Sequence, residues 1–173
     1  KEDFDKDSVL SRFDHQLKSS GINTSHTLSP DFSWSSSDIS QIKNYHQLEK
    51  YIILFPFCSP HLTSKKWPYY NDLISMINEK LENKFKVVIA PGPGEIKETS
   101  NINALCVLDN GKALDISQLA ALIKDSSFVV ANDTGPAHMT AHLGSNGLAL
   151  FGAHTTAYKV SIERENFKPI QVS

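Results

Sequence analysis

The chain has 173 residues, 40% of them hydrophobic and 21% charged, which suits one soluble domain with a real core. A net charge of −2 gives no global attraction to nucleic acid or to an anionic membrane, and no apolar run reaches the ~18 residues that a membrane-spanning helix needs. With no signal peptide in view, the composition points to the cytoplasm. Residue 1 is Lys and the only methionines are Met76 and Met139, so the chain reads as an excerpt of a longer protein. Cys58 and Cys106 sit in apolar stretches and read as buried, reduced thiols.

In chain order, the first pattern is helical. Residues 7–19 place Val9, Leu10, Phe13 and Leu17 on one face, and Gly21 is a stop signal. Residues 21–37, rich in Ser, Thr and Asn, read as a connecting loop. Residues 38–50 read as a short polar helix with Ile39, Ile42, Tyr45 and Leu48 facing inward. From Tyr51 the texture changes to continuous apolar runs at 51–57, 85–90, 104–108, 128–131 and 148–151, with a possible sixth at 169–172. Such runs are typical of strands buried on both faces. Helical patterns at 69–81, 116–124 and 137–143 separate them, and Asp115 with Gln118 forms a capping-box signature. Alternating buried strands and helices predict an α/β, Rossmann-like parallel sheet with helices on both faces. Ligands bind such sheets beyond the carboxyl ends of the strands, so the loops there hold the candidate site.

After the first strand, Cys58-Ser59-Pro60-His61-Leu62-Thr63-Ser64-Lys65-Lys66-Trp67-Pro68 offers two lysines and three hydroxyls before a helix. That chemistry suits phosphate oxygens, and equally a solvated basic loop. After the second, Pro91-Gly92-Pro93-Gly94-Glu95 permits a sharp turn, with Glu95 able to accept from a ribose diol or to sit in a first helical turn. After the fourth comes Asn132-Asp133-Thr134-Gly135-Pro136-Ala137-His138, the most informative segment. Asp133 and Thr134 are good N-caps, and Pro136 suits a first turn, so a strand runs into a helix N-terminus, an anion site. Thr134 adds a hydroxyl and His138 lies one turn in. A capped helix without ligand is the alternative. His138 and His142 are spaced i, i+4 as zinc ligands can be, but Met139 replaces the Glu of that motif and no third ligand is marked. After the fifth strand, Gly152-Ala153-His154-Thr155-Thr156 is a small polar turn.

Together these segments resemble the lipopolysaccharide heptosyltransferases, glycosyltransferase family 9. Asp133-Thr134-Gly135-Pro136-Ala137-His138, Ala141-His142-Leu143-Gly144 and Leu150-Phe151-Gly152 are similar to its signature. Lys65-Lys66-Trp67-Pro68 resembles its Lys-x-Trp-Pro loop, Gly92-Pro93-Gly94-Glu95 its ribose-binding turn, and Leu119-Ala120-Ala121-Leu122-Ile123 its next helix. Arg12-Phe13-Asp14 is similar to its inter-domain segment.

The resemblance implies one half of an inverting, metal-independent transferase of GT-B architecture, with no cofactor. Residues 1–50 would be an inter-domain helix, linker and short helix. Residues 51–173 would be the donor-binding domain, incomplete here, with the N-terminal acceptor domain outside this chain. Its implied partners are an ADP-heptose-like nucleotide-diphosphate sugar and, through the other domain, a lipid-linked saccharide of the lipopolysaccharide core. Nucleic acid is not among them, and the implied location is cytoplasmic, peripheral at the inner membrane.

Carried over residue by residue, Lys65 would contact the donor phosphates and offset leaving-group charge, and Ser59 would lie in the same loop. Glu95 would bind ribose, Leu114 would touch the base, and Asp133 would approach the sugar. Thr134, Gly135, Pro136 and the following amides would cradle the diphosphate, with His138 alongside. Lys65 and Asp133 are the implied catalytic pair. The chain departs from the pattern at Phe57-Cys58-Ser59, where the family has a Pro-Gly-Ala-Ser-like turn, and at His154-Thr155-Thr156-Ala157, in place of Thr-Asp-Pro. The second departure leaves the donor sugar open.

Three other readings compete. Asp133-Thr134-Gly135 after an apolar run superficially resembles an aspartic protease motif, but it precedes a helical pattern and has no second copy. A non-catalytic nucleotide-sugar-binding module, and an epimerase-like GT-B enzyme, would use the same helix terminus.

Overall fold

A computed structural model describes residues 6–153 and 155–171, so His154 of the 152–156 turn and Val172 of the sixth expected strand lie outside the described residues. The first helix, α1 (Val9–Ser19), is capped by Ser8, whose hydroxyl accepts from the Ser11 amide. Its apolar face is less covered than its periodicity predicts: none of its residues is fully buried and Phe13 is 53% exposed. The Leu10 amide donates to Ser161 Oγ, which fixes α1 to the far end of the domain. Within the expected 21–37 loop, Ser33–Ser35 forms a 3-10 turn.

Helix α2 (Ser40–His46) buries Ile42 and ends at left-handed Gln47, while Ile39 before it and Leu48 after it are also buried. Tyr45, expected inside, is exposed. The inward stripe runs Ile39, Ile42, His46, at helical spacings of three and four, which turns Tyr45 outward. His46 takes the inward place, with Nε2 2.8 Å from the Leu108 carbonyl.

Six strands follow: β1 (Tyr51–Phe55), β2 (Lys86–Ile89), β3 (Leu105–Cys106), β4 (Phe128–Asn132), β5 (Gly147–Phe151) and β6 (Phe167–Gln171). All pair in parallel, in the order β3-β2-β1-β4-β5-β6. This is the doubly wound Rossmann order, and its switch point lies between β1 and β4.

β1 shows why the sheet is buried on both sides. Tyr51, Ile53 and Phe55 join one core cluster, Ile52 and Leu54 the other, as alternating side chains must. Helix α3 (Tyr70–Lys80) supplies Tyr70 and Ile74 to the second cluster. Helices α4 (Ile116–Asp125) and α5 (Gly135–His142) join α2 on the first. Burying a side chain such as Leu54 contributes about 2 kcal/mol.

Several boundaries move for identifiable reasons. β1 stops before Pro56, which has no N–H for the ladder, although Pro56 and Phe57 stay buried. β3 keeps two residues of the expected five, because it is an edge strand that soon folds back through the Asp109–Lys112 bridge. Asn110 and Gly111 both have positive φ there, a tight-turn signature the sequence reading did not use. β5 begins one residue early, at Gly147, where a Cβ would stand 2.4 Å from the Val129 carbonyl oxygen. A short α6 (Ala157–Val160), capped by Thr156, was not expected. The Asp115–Gln118 capping box is present in both halves. Among the described residues, no helix is long and apolar enough to cross a membrane.

Candidate functional site

A cavity of about 460 Å³ opens at the carboxyl ends of β1, β2 and β4. Its wall brings together eight sequence-predicted site residues: Ser59, Lys65, Glu95, Leu114, Asp133, Thr134, Gly135 and Pro136. They come from four separate segments. His138 is not part of that wall. It stands one turn into α5, with Nε2 3.7 Å from Asp133 Oδ1, which ties it to the cavity through that carboxylate.

The loop after β1 folds into a 3-10 turn at Thr63–Lys65, which swings Lys65 across the mouth of the sheet. Its Nζ donates to Asp133 Oδ2 at 2.6 Å and to the Asp133 carbonyl at 3.2 Å. The pair is unequal in burial, with the Lys65 side chain 19% exposed and that of Asp133 2%. Lys66 turns away instead, pairing with exposed Glu98 at 3.0 Å.

At the start of α5 the structure revises one expectation. Thr134 occupies the N-cap, but its hydroxyl donates to the Asn132 carbonyl at 3.2 Å and does not cap the helix. Pro136 sits in the first turn as expected. The first turn of α5 therefore meets the cavity without a side-chain cap, and the positive end of its dipole faces the same space as Lys65.

Glu95 bends back on its own turn, its Oε2 accepting from the Gly92 amide at 2.7 Å. This holds the carboxylate at the rim of the cavity. Leu114 packs against the core and contributes an apolar wall. The sequence reading missed Ile116 and Leu119, which extend that wall from the first turns of α4. Ile116 is 74% exposed, which no spacing in the sequence marks; the available signal was its position directly after the Asp115 N-cap, at a helix start facing the strand ends. Cys58, expected to be buried, is only half-buried and lines the cavity, its thiol donating to the Leu62 carbonyl.

His138 and His142, one turn apart on α5, stand side by side. The rings of His138 and His142 stack with centroids 6.5 Å apart, and Arg164 Nη2 lies 3.3 Å from His142 Nδ1. Burial first, then Arg164, then His138, push the His142 imidazole down to about 4, so it is neutral at physiological pH.

The arrangement suits an anionic ligand with an apolar, flat end. A cation and a helix N-terminus meet at one side, and Leu114, Ile116 and Leu119 line the other. Asp133-Thr134-Gly135 joins a parallel strand to a helix, unlike the β-rich setting of an aspartic protease.

The family model for glycosyltransferase family 9 (heptosyltransferase) matches residues 6–165. No curated protein sequence matches the chain. Among solved structures, E. coli heptosyltransferase WaaC with ADP is similar at 18% identity and a TM-score of 0.61, with 91% of this chain and 48% of that chain covered. E. coli ADP-heptose lps heptosyltransferase II is similar at 17% identity and a TM-score of 0.60, covering 86% and 44%. Methanocaldococcus jannaschii UDP-GlcNAc 2-epimerase, in complex with UDP-GlcNAc and UDP, reaches 10% identity and a TM-score of 0.54, covering 93% and 48%. At these identities the likeness is one of fold, and the chain spans about half the length of each of these structures.

Proposed function

The chain belongs to glycosyltransferase family 9, the heptosyltransferases, and from that premise we propose that it is the donor-binding half of a transferase acting on an ADP-heptose-like sugar. The observation that carries this reading is the meeting of Lys65 with Asp133 across the β1/β4 switch point, beside the uncapped start of α5. Structures of similar fold hold ADP or an ADP-heptose analogue, which supports the same ligand class here.

In this reading the diphosphate lies against Thr134, Gly135 and Pro136, with Lys65 on its flank. Glu95 takes the ribose, and Leu114, with Ile116 and Leu119, takes the base. Transfer breaks the bond between the anomeric carbon and the diphosphate oxygen as an acceptor hydroxyl attacks from the opposite face. Charge grows on the departing nucleoside diphosphate, and fixed donors aimed at that charge lower the barrier. Asp133 already neutralises most of Lys65, so the backbone at the start of α5 carries much of the stabilisation. Asp133 faces the sugar, and His138 stands behind it. A general base must take the acceptor proton, and we assign it to an N-terminal acceptor domain outside this chain. The acceptor is a lipid-linked saccharide of the lipopolysaccharide core, and the enzyme works in the cytoplasm at the inner membrane.

Calorimetric titration with ADP, UDP and GDP tests this reading. One nucleoside diphosphate, ADP, is expected to bind, and Lys65→Ala to weaken it. The chain mixed with donor and acceptor is expected to give no turnover. Indifference to all three nucleotides in both proteins overturns the assignment.

A further inference from the structure

The Asn132 side chain lies at 0% exposure directly before Asp133 and is bonded on both ends of its amide. Its Nδ2 donates to the Pro56 carbonyl at 3.0 Å, and its Oδ1 accepts from the Trp67 amide at 3.3 Å. Pro56 and Trp67 are the two ends of the loop that carries Ser59 and Lys65. The Tyr70 hydroxyl, also buried, lies 3.2 Å from Asn132 Oδ1 and 3.2 Å from the Phe55 carbonyl, tying the start of α3 to the same point. Trp67 packs edge-on against the Tyr70 ring at 5.3 Å. The loop wanders through exposed residues between these ends, but its neck is closed by one carboxamide.

We propose that Asn132 is the positioning residue of the donor site, cinching both ends of the 56–67 loop so that Lys65 arrives beside Asp133 and the diphosphate. The proposal rests on the donor-site reading above for its ligand. The carboxamide suits the task because it donates on one side and accepts on the other. Removing the carboxamide takes the donor from the Pro56 carbonyl and the acceptor from the Trp67 amide, so the neck opens. Asn132 touches no substrate in this scheme and acts through Lys65.

The test uses Asn132→Leu and Tyr70→Phe, each with Lys65 intact and with Lys65→Ala. Hydrogen exchange at the Trp67 amide is read without ligand, and ADP affinity by calorimetry. Asn132→Leu is expected to speed Trp67 exchange about tenfold, with the amides of α4 unchanged. It is expected to weaken ADP about tenfold when Lys65 is present and less than about twofold when Lys65 is already Ala. Tyr70→Phe removes one hydroxyl and is expected to shift both readouts the same way by about threefold, which decides the matter if Asn132→Leu does not fold. Unchanged Trp67 exchange overturns the cinch whatever ADP does. Equal loss of ADP affinity in both Lys65 backgrounds overturns the positioning role, because a purely structural effect ignores Lys65. A wild-type chain that ignores ADP sinks the donor-site reading instead, while Trp67 exchange still decides whether Asn132 holds the loop.

Discussion

Lys65 and Asp133 stand 68 positions apart in the chain, yet Nζ and Oδ2 meet at 2.6 Å. The contact exists because β4 pairs with β1, skipping β2 and β3. It joins the two loops at the switch point into one charged floor for the cavity.

The unequal burial of this pair predicts unequal mutants. Lys65→Ala leaves a carboxylate that is 2% exposed without its ammonium, and a loss of about 2–4 kcal/mol is expected in urea denaturation. Asp133→Asn leaves a lysine that is 19% exposed, solvates more readily and still reaches the carbonyl of residue 133, so a smaller loss than that of Lys65→Ala is expected. The two also differ in binding. Under the donor-site proposal, Lys65→Ala is expected to weaken ADP, whereas Asp133→Asn frees the ammonium and is expected to leave ADP binding equal or tighter. Weaker ADP binding by Asp133→Asn contradicts this assignment.

Cys58 reports on the occupancy of the cavity. Burial pushes its thiol above the ordinary range, so a maleimide is expected to react slowly near neutrality and faster as pH rises. ADP is expected to slow labelling of Cys58. Cys106 borders a different cavity, with Gln41 and His46, and serves as an internal control. Mass spectrometry separates the two sites, and equal protection of both cysteines contradicts placement of the nucleotide beside Cys58.

His142 predicts a pH dependence of stability. Its folded imidazole titrates at about 4, against 6.5 for an unperturbed histidine. As pH falls through 6.5 the unfolded chain takes up this proton and the folded chain does not, so stability drops. The loss continues to about pH 4, where the folded ring also protonates. Arg164 and His138 face the ring, and both oppose its charge. His142→Gln is expected to remove this part of the slope between pH 6.5 and 4 and to leave the carboxylate contribution. Identical pH profiles of wild type and variant assign the slope to other groups.

Local patterns reached far in this chain. The apolar run that became β1, the Asp115–Gln118 box and the entry of Pro136 into α5 are decided by residues a few positions apart. Short-range backbone chemistry settles them, so the sequence displays them. The α/β class follows from their alternation, and with it the rule that the site lies at the carboxyl ends of the strands. Where local pattern misled, a tertiary contact intervened. Tyr45 turned outward because His46 found the Leu108 backbone, and the Thr134 hydroxyl turned to the Asn132 carbonyl instead of capping.

The amino-acid sequence alone determined the six strand regions, the main helices between them and the family resemblance, and it put forward the residues of the strand-end loops as candidates for the site. Tertiary structure alone decided that Asp133 is matched by Lys65, that His138 stands behind it, that Ile116 and Leu119 complete the apolar wall, and that Asn132 gathers Pro56, Trp67 and Tyr70. Those contacts join segments that are distant in the chain and adjacent only because β4 docks against β1. Strand order is a property of the assembled sheet, and no local spacing encodes it.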